Sequence, residues 1–239
     1  MLKIEELTTG IIQNKEIRVL HDRISVEVPT SSVTLLLGAN GIGKSVFLKT
    51  LLNIYKPIRG KVLFNEHHLN SLNSSEIAHY ISLMLPTPPS IELMTCIEIV
   101  LSGQQRFMKP WTISSSYQET QVMKYFELCQ ITHLAQKNFA QLSDGEKQKV
   151  MLARCLAQET PIILLDEPMA FLDYPSRKHF LSLIKKIAQT QQKTIIVSTH
   201  DIDISLPFAN QILAFSENQW HYFVDAREFN TSFIFNENS

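Results

Sequence analysis

Glycine is scarce in this chain, with seven among 239 residues against an average usage of about 7%. Any clustering of them is therefore informative. Cysteine is scarcer still. Cys96, Cys129 and Cys155 show no C-x-x-C spacing, which argues against a zinc or disulfide framework and reads as small apolar residues in a reducing compartment. No apolar run approaches the roughly 18 residues of a membrane span. The stretch Met1–Glu6 lacks the apolar core of a signal peptide. The expectation is a cytoplasmic protein that reaches a membrane only through a partner. The formal net charge of −1 leaves no global basic field to attract nucleic acid or acidic lipid. There is no internal repeat and no low-complexity segment.

The 44% hydrophobic and 19% charged content is that of an ordinary soluble globular protein. The length suits one sizeable α/β domain with a smaller subdomain. Three of the seven glycines fall in Gly38-Ala39-Asn40-Gly41-Ile42-Gly43-Lys44-Ser45. The apolar run Val33–Leu37 precedes this stretch and Val46–Leu52 follows it, so it reads strand, glycine loop, helix, the P-loop pattern in its confirming context. Glycines allow positive φ and turn successive N–H groups toward one point. The helix behind adds unpaired first-turn donors and the positive end of its dipole. Lys44 supplies a point charge for terminal phosphates, and the Ser45 hydroxyl suits Mg²⁺. A chance glycine turn before a lysine is the bland alternative, and the glycine economy argues against it.

Residues 2–7 and 17–28 alternate apolar and polar, as half-exposed antiparallel strands do, and Gly60 with Lys61–Phe64 continues that sheet. His67 and His68, with no spaced third ligand, read as exposed turn residues. An apolar strand is expected over Tyr80–Leu85, within the segment from Ile77, closing at Pro86–Pro89. A helical subdomain follows, from residue 87 to 149. Capping boxes at Thr95/Glu98 and Ser116/Glu119 open its helices, and Gln104–Ser116 is its irregular link. Strand–helix alternation then resumes. Ile162–Leu165 and Lys193–Val197 read as parallel strands buried on both faces, with a helix over 176–189 between them. A hairpin of Gln211–Phe215 and Trp220–Val224, turning at Glu217–Asn218, comes last.

Asp166 and Glu167 end the Ile162–Leu165 strand, on the side of a parallel sheet where ligands bind. An aspartate there suits Mg²⁺, and a glutamate one residue on can polarise a water attacking a γ-phosphate. His200, at the end of the next strand, suits a hydrogen bond to that phosphate or water. Read singly, it is a capping or core histidine. Ser143-x-x-Glu146 is a third capping box, opening the helix Lys147–Gln158. Gly145 in that first turn costs up to about 1 kcal/mol against alanine, while exposing N–H groups as a second anion-binding surface.

These motifs together resemble the ATPase subunit of ATP-binding-cassette (ABC) transporters over nearly the whole chain. The matching elements are the P-loop (38–45), the signature Leu142-Ser143-Asp144-Gly145-Glu146, the Walker B run Ile162–Glu167, the D-loop Phe171-Leu172-Asp173 and the switch His200. The resemblance implies a mostly parallel P-loop core (1–86 and 150–239) with an antiparallel β subdomain, plus the helical subdomain. It also implies a head-to-tail homodimer holding two ATP molecules. Gly38, Asn40, Gly41, Gly43, Lys44, Ser45 and Val46 of one copy would bind ATP together with Ser143 and Gly145 of the other, and Asp173 of the D-loop would bind it as well. Mg²⁺ would sit on Ser45 and Asp166, and Glu167, His200 and Lys44 would be catalytic.

Against the family pattern, Ile11 and Ile12 stand where an adenine-stacking aromatic is usual, so weaker or merely apolar base binding is expected. Thr87 takes the slot of a usual glutamine. Asp144 and Glu146 replace a usual glycine and glutamine, and Val46 a usual threonine. The importer ATPases for iron-siderophore, haem and cobalamin complexes resemble the chain most. This is carried by Met94–Val100 leading to Gly103, the run Leu142–Pro168, and Ser198-Thr199-His200-Asp201. Membrane permease subunits and an extracytoplasmic solute-binding protein are the implied partners, with no nucleic acid. A soluble, non-transport ABC ATPase and a weakly hydrolysing regulatory subunit remain the alternatives.

Overall fold

Two sheets organise the chain in the computed structural model, which describes residues 1–13, 16–89, 91–104, 115–217 and 219–233. The first is antiparallel, in the order β2-β1-β4-β5, built from β1 (Leu2–Gln13), β2 (Glu16–Val28), β4 (Arg59–Phe64) and β5 (His67–His68). The second runs β10-β9-β3-β8-β7-β6. Its strands are β3 (Ser32–Leu37), β6 (Ile81–Met84), β7 (Ile162–Asp166), β8 (Thr194–Thr199), β9 (Gln211–Ser216) and β10 (Gln219–Phe223). All its neighbours pair in parallel except the antiparallel edge strand β10. The helices are α1 (Lys44–Leu51), α2 (Ser74–Ile77), α3 (Cys96–Ser102), α4 (Ser115–Leu128), α5 (Asp144–Ala157), α6 (Tyr174–Thr190) and α7 (Ile202–Ser205). The α/β class and the antiparallel β addition are those read from the sequence.

The parallel strands bury both faces, and their alternation divides the core in two. Val33, Leu35 and Leu37 of β3, Ile163 and Leu165 of β7, and Ile195 and Val197 of β8 pack with α3–α6. Leu36, Ile162, Leu164 and Ile196 point the other way, onto α1 and the antiparallel sheet. Fully apolar runs in these strands follow directly from that double burial.

Several boundaries differ from the sequence reading, each for a local reason. His67 and His68 are exposed, as expected, but they form a strand. Asn65 and Glu66 adopt φ of 45° and 73°, and this two-residue reversal pairs Phe64 with His67 and Leu63 with His68. Ile77 belongs to α2, whose capping box joins Asn73 and Glu76, so the strand that follows is confined to Ile81–Met84. The helix expected over Lys147–Gln158 begins at Asp144, because the Ser143/Glu146 box places Ser143 at the N-cap. α5 then crosses the 149/150 division without a break. The Thr95/Glu98 box caps α3 as read. Most of the Gln104–Ser116 link, the Ser116 side chain and Asn218 lie outside the described residues, as does the side chain of Ile12. Not anticipated was β9 inserting beside β3 as a parallel core strand.

Candidate functional site

Register brings three strand ends to one place. Leu37 of β3 pairs with Thr199 of β8, and Ser198 of β8 pairs with Asp166 of β7. The P-loop, His200 and Glu167 therefore leave adjacent strands side by side, beyond the carboxyl edge of the sheet where α/β proteins bind ligands.

The loop after β3 follows its glycines. Gly38 has φ of 153°, and a Cβ there would stand 2.8 Å from the Phe215 carbonyl oxygen. Gly43 caps α1 with φ of 106° and no side-chain cap; a Cβ there would meet the His21 ring at 2.9 Å. The first-turn N–H groups of α1 are thus left for an anion. Lys44 is buried, and its Nζ donates to the carbonyl oxygens of Gly38 at 2.8 Å and Ala39 at 3.3 Å. Ser45 and Val46 are half-buried behind it, while Asn40 and Gly41 are exposed.

The acidic pair is held by Ser198, a residue the sequence reading assigned no role of its own. Its hydroxyl donates to Asp166 Oδ1 at 2.7 Å and accepts from the Glu167 N–H at 2.8 Å. Asp166 is 2% exposed, and Glu167 adopts a left-handed φ of 45°. Glu167 Oε1 lies 3.3 Å from Lys44 Nζ, and Oε2 accepts from His200 Nδ1 at 2.9 Å. Lys44, Asp166, Glu167 and His200 thus form one contiguous group.

Ser143 and Gly145 sit apart from that group, beside Leu172, Ser176 and His179 around a cavity of about 410 Å³. Ser143 donates its N–H at 2.9 Å and its hydroxyl at 2.8 Å to one oxygen of Glu146. These bonds from Ser143 lower the Glu146 pKa below the usual carboxylate range. Asp173 caps α6 by accepting the Ser176 N–H at 2.9 Å, and the Ser176 bonds depress its pKa. Thr87 is exposed at the rim of a cavity of about 500 Å³ shared with Asp144, Lys147 and Phe171. Ile11 is half-buried on β1, opposite Arg18.

Among the described residues no group of three or more His, Cys, Asp or Glu side chains could cage a metal ion. The donor set fits Mg²⁺ all the same. That ion takes one or two protein oxygens and completes its shell with phosphate and water, and a half-buried hydroxyl (Ser45) and a buried carboxylate (Asp166) are hard oxygen donors of the kind it takes.

Fold and site together define a P-loop nucleotide-binding cassette. The ABC transporter family model matches residues 21–170. The chain is 30% identical over 204 residues to the petrobactin import ATP-binding protein FpuD of Bacillus anthracis, covering 84% of this chain and 74% of that one. It is 30% identical over 218 residues to the ferric enterobactin transport ATP-binding protein FepC of Escherichia coli, covering 91% and 79%. An inward-facing putative metal-chelate type ABC transporter superposes with a TM-score of 0.82 at 27% identity, over 97% of this chain and 85% of that one. The chain belongs to the ABC transporter family, as its ATP-hydrolysing cassette. No helix among the described residues is long and apolar enough to cross a membrane.

Proposed function

We propose that two copies of this chain close head to tail around two ATP molecules and that their hydrolysis drives import of an iron complex through permease subunits in the membrane. The contact run Lys44–Glu167–His200, at the carboxyl ends of β3, β7 and β8, carries the reading. Each nucleotide is gripped by the P-loop residues 38–46 of one copy and by Ser143, Gly145 and Asp173 of its partner. A C₂ interface uses this pair of surfaces twice. Two phosphate-seeking helix ends lying apart on one chain are what such an arrangement needs.

In the closed state Glu167 directs water onto the γ-phosphate, while Lys44 and His200 stabilise the developing charge. Ser45 and Asp166 would hold Mg²⁺, which when bound neutralises phosphate charge. Loss of the γ-phosphate removes the bridging charge and lets the dimer open, moving the permease. The helical unit 87–149 carries the trans contacts of Ser143 and Gly145, and residues 1–86 and 150–239 carry the cis pocket together with the trans contact of Asp173. The FpuD and FepC relatives support an iron-siderophore cargo. Haem, also an iron complex, and cobalamin, a cobalt chelate, are the alternative cargoes; an extracytoplasmic binding protein would deliver the cargo, with this chain peripheral on the cytoplasmic face.

Two measurements test this reading. Glu167→Gln should accumulate as a dimer in ATP by light scattering; a variant that stays monomeric at saturating ATP contradicts trans closure. The protein recovered from membranes with its permease should raise its ATP turnover when given a ferric siderophore and its binding protein. Stimulation by an unrelated solute instead would replace the iron assignment.

A further inference from the structure

The contact run does not stop at His200. His200 Nε2 lies 3.9 Å from Asp201 Oδ1, and Asp201 Oδ2 accepts from Arg177 Nη1 at 2.8 Å. Arg177 Nε in turn donates to the Leu172 carbonyl oxygen at 2.7 Å. Polar contacts therefore run from the P-loop lysine through Glu167, His200 and Asp201 to an arginine that grips the turn bearing Leu172 and Asp173. The backbone N–H of Arg177 bonds the Asp173 carbonyl at 2.9 Å, which anchors its Cα in the first turn of α6. Neither end of the Arg177–Asp201 pair is a loose surface group: their side chains are 28% and 23% exposed.

We infer that Arg177 is a positioning residue for the hydrolytic step, acting through Asp201 on His200; the inference rests on the role proposed above for that histidine. An imidazole flanked by two carboxylates is drawn both ways. Glu167, which also contacts Lys44, holds its Nδ1 edge. Asp201 competes for the Nε2 edge unless its own charge is engaged elsewhere. Arg177 engages it with a directed, charge-assisted bond, so His200 stays with Glu167. The same guanidinium ties the turn at Leu172 to the switch. Displacement of the turn that bears Asp173 is therefore felt at His200.

The bland reading makes Arg177 a clip that merely stabilises the loop. The two differ in what they predict. A clip costs stability, whereas a positioning residue costs turnover at unchanged nucleotide binding. Arg177→Met keeps the aliphatic stem, and the cavity of about 530 Å³ beside Tyr174 and Asp201 accommodates its rearrangement. The variant should lower kcat about tenfold while leaving the Kd for MgATP within twofold. Arg177→Lys should recover most of the loss, and the His200 imidazole ¹⁵N resonances should shift in Arg177→Met alone. Unchanged kcat in a folded Arg177→Met, or a loss confined to Kd, overturns the inference. Should that variant not fold, Arg177→Gln, which removes the charge but keeps most of the stem, must lower kcat at constant Kd, and unchanged kcat in it overturns the inference equally. His200→Ala is run alongside. If it turns over normally, the role given to His200 fails; if it is inactive while Arg177→Met is normal, only the positioning role fails.

Discussion

Glu167 contacts Lys44 and His200 through different oxygens of one carboxylate, at 3.3 Å from Oε1 and 2.9 Å from Oε2. The P-loop lysine is thus paired with Glu167, with its remaining donors on the Gly38 and Ala39 carbonyls. On the proposed reading, a triphosphate that draws Lys44 away frees a carboxylate oxygen of Glu167 for water.

Lys44→Ala removes the only lysine or arginine buried among the described residues and takes its donor from the Gly38 carbonyl. Turnover should fall by at least about 10³-fold, given the weight of electrostatic stabilisation in such sites. A phosphate-release assay reads this, and near-normal turnover would remove the loop from the site.

Ser198→Ala should be costly for a change of one oxygen. The buried hydroxyl serves both the Asp166 carboxylate and the Glu167 N–H, and each group left unpaired costs about 1–3 kcal/mol. We expect a melting temperature several degrees lower and a larger fall in kcat than in nucleotide affinity. An unchanged thermal transition would mean that water replaces the hydroxyl without loss.

His21 makes stability depend on acid. The ring is buried, stacked on Phe215 at 3.8 Å between centroids, and bonded through Nδ1 to the Thr9 hydroxyl at 2.7 Å. Nε2 makes no hydrogen bond of good geometry. Burial lowers the His21 pKa from 6.5 to about 4. The unfolded chain takes up this proton near its ordinary pKa, whereas the folded chain refuses it until about pH 4. The His21 contribution is therefore intact above the unfolded value and lost as pH falls through this window, by about 3 kcal/mol in all. Urea unfolding at pH 7.5 and pH 4.5 should show a smaller difference in His21→Leu than in the parent. Equal slopes in the two proteins would show that carboxylates alone set the acid limb.

Ser143→Arg should leave ATP binding to a single chain intact, because Ser143 makes its bonds to Glu146, away from Lys44 and Glu167. Its long cation should block closure, so Glu167→Gln/Ser143→Arg should remain monomeric in ATP by light scattering. A tight dimer in the double variant would place Ser143 outside the interface.

Most of the chemistry was legible in the residues because it is local. The P-loop, the Ser143/Glu146 box and the acidic end of β7 are each specified within a few positions, where glycine conformation, capping and apolar runs act at short range. So were the α/β class and the antiparallel addition, from periodicity. What no stretch of sequence could specify is which strand ends become neighbours. The parallel register of β3, β8 and β7 is set by packing both of their faces at once, and it decides that Lys44, Glu167 and His200 touch. The same register seats Ser198 under Asp166, while the packing of α6 beside the end of β8 brings Arg177 to Asp201. These partners lie 24–32 positions apart in the chain, and only burial shared across the whole sheet brings them within a hydrogen bond.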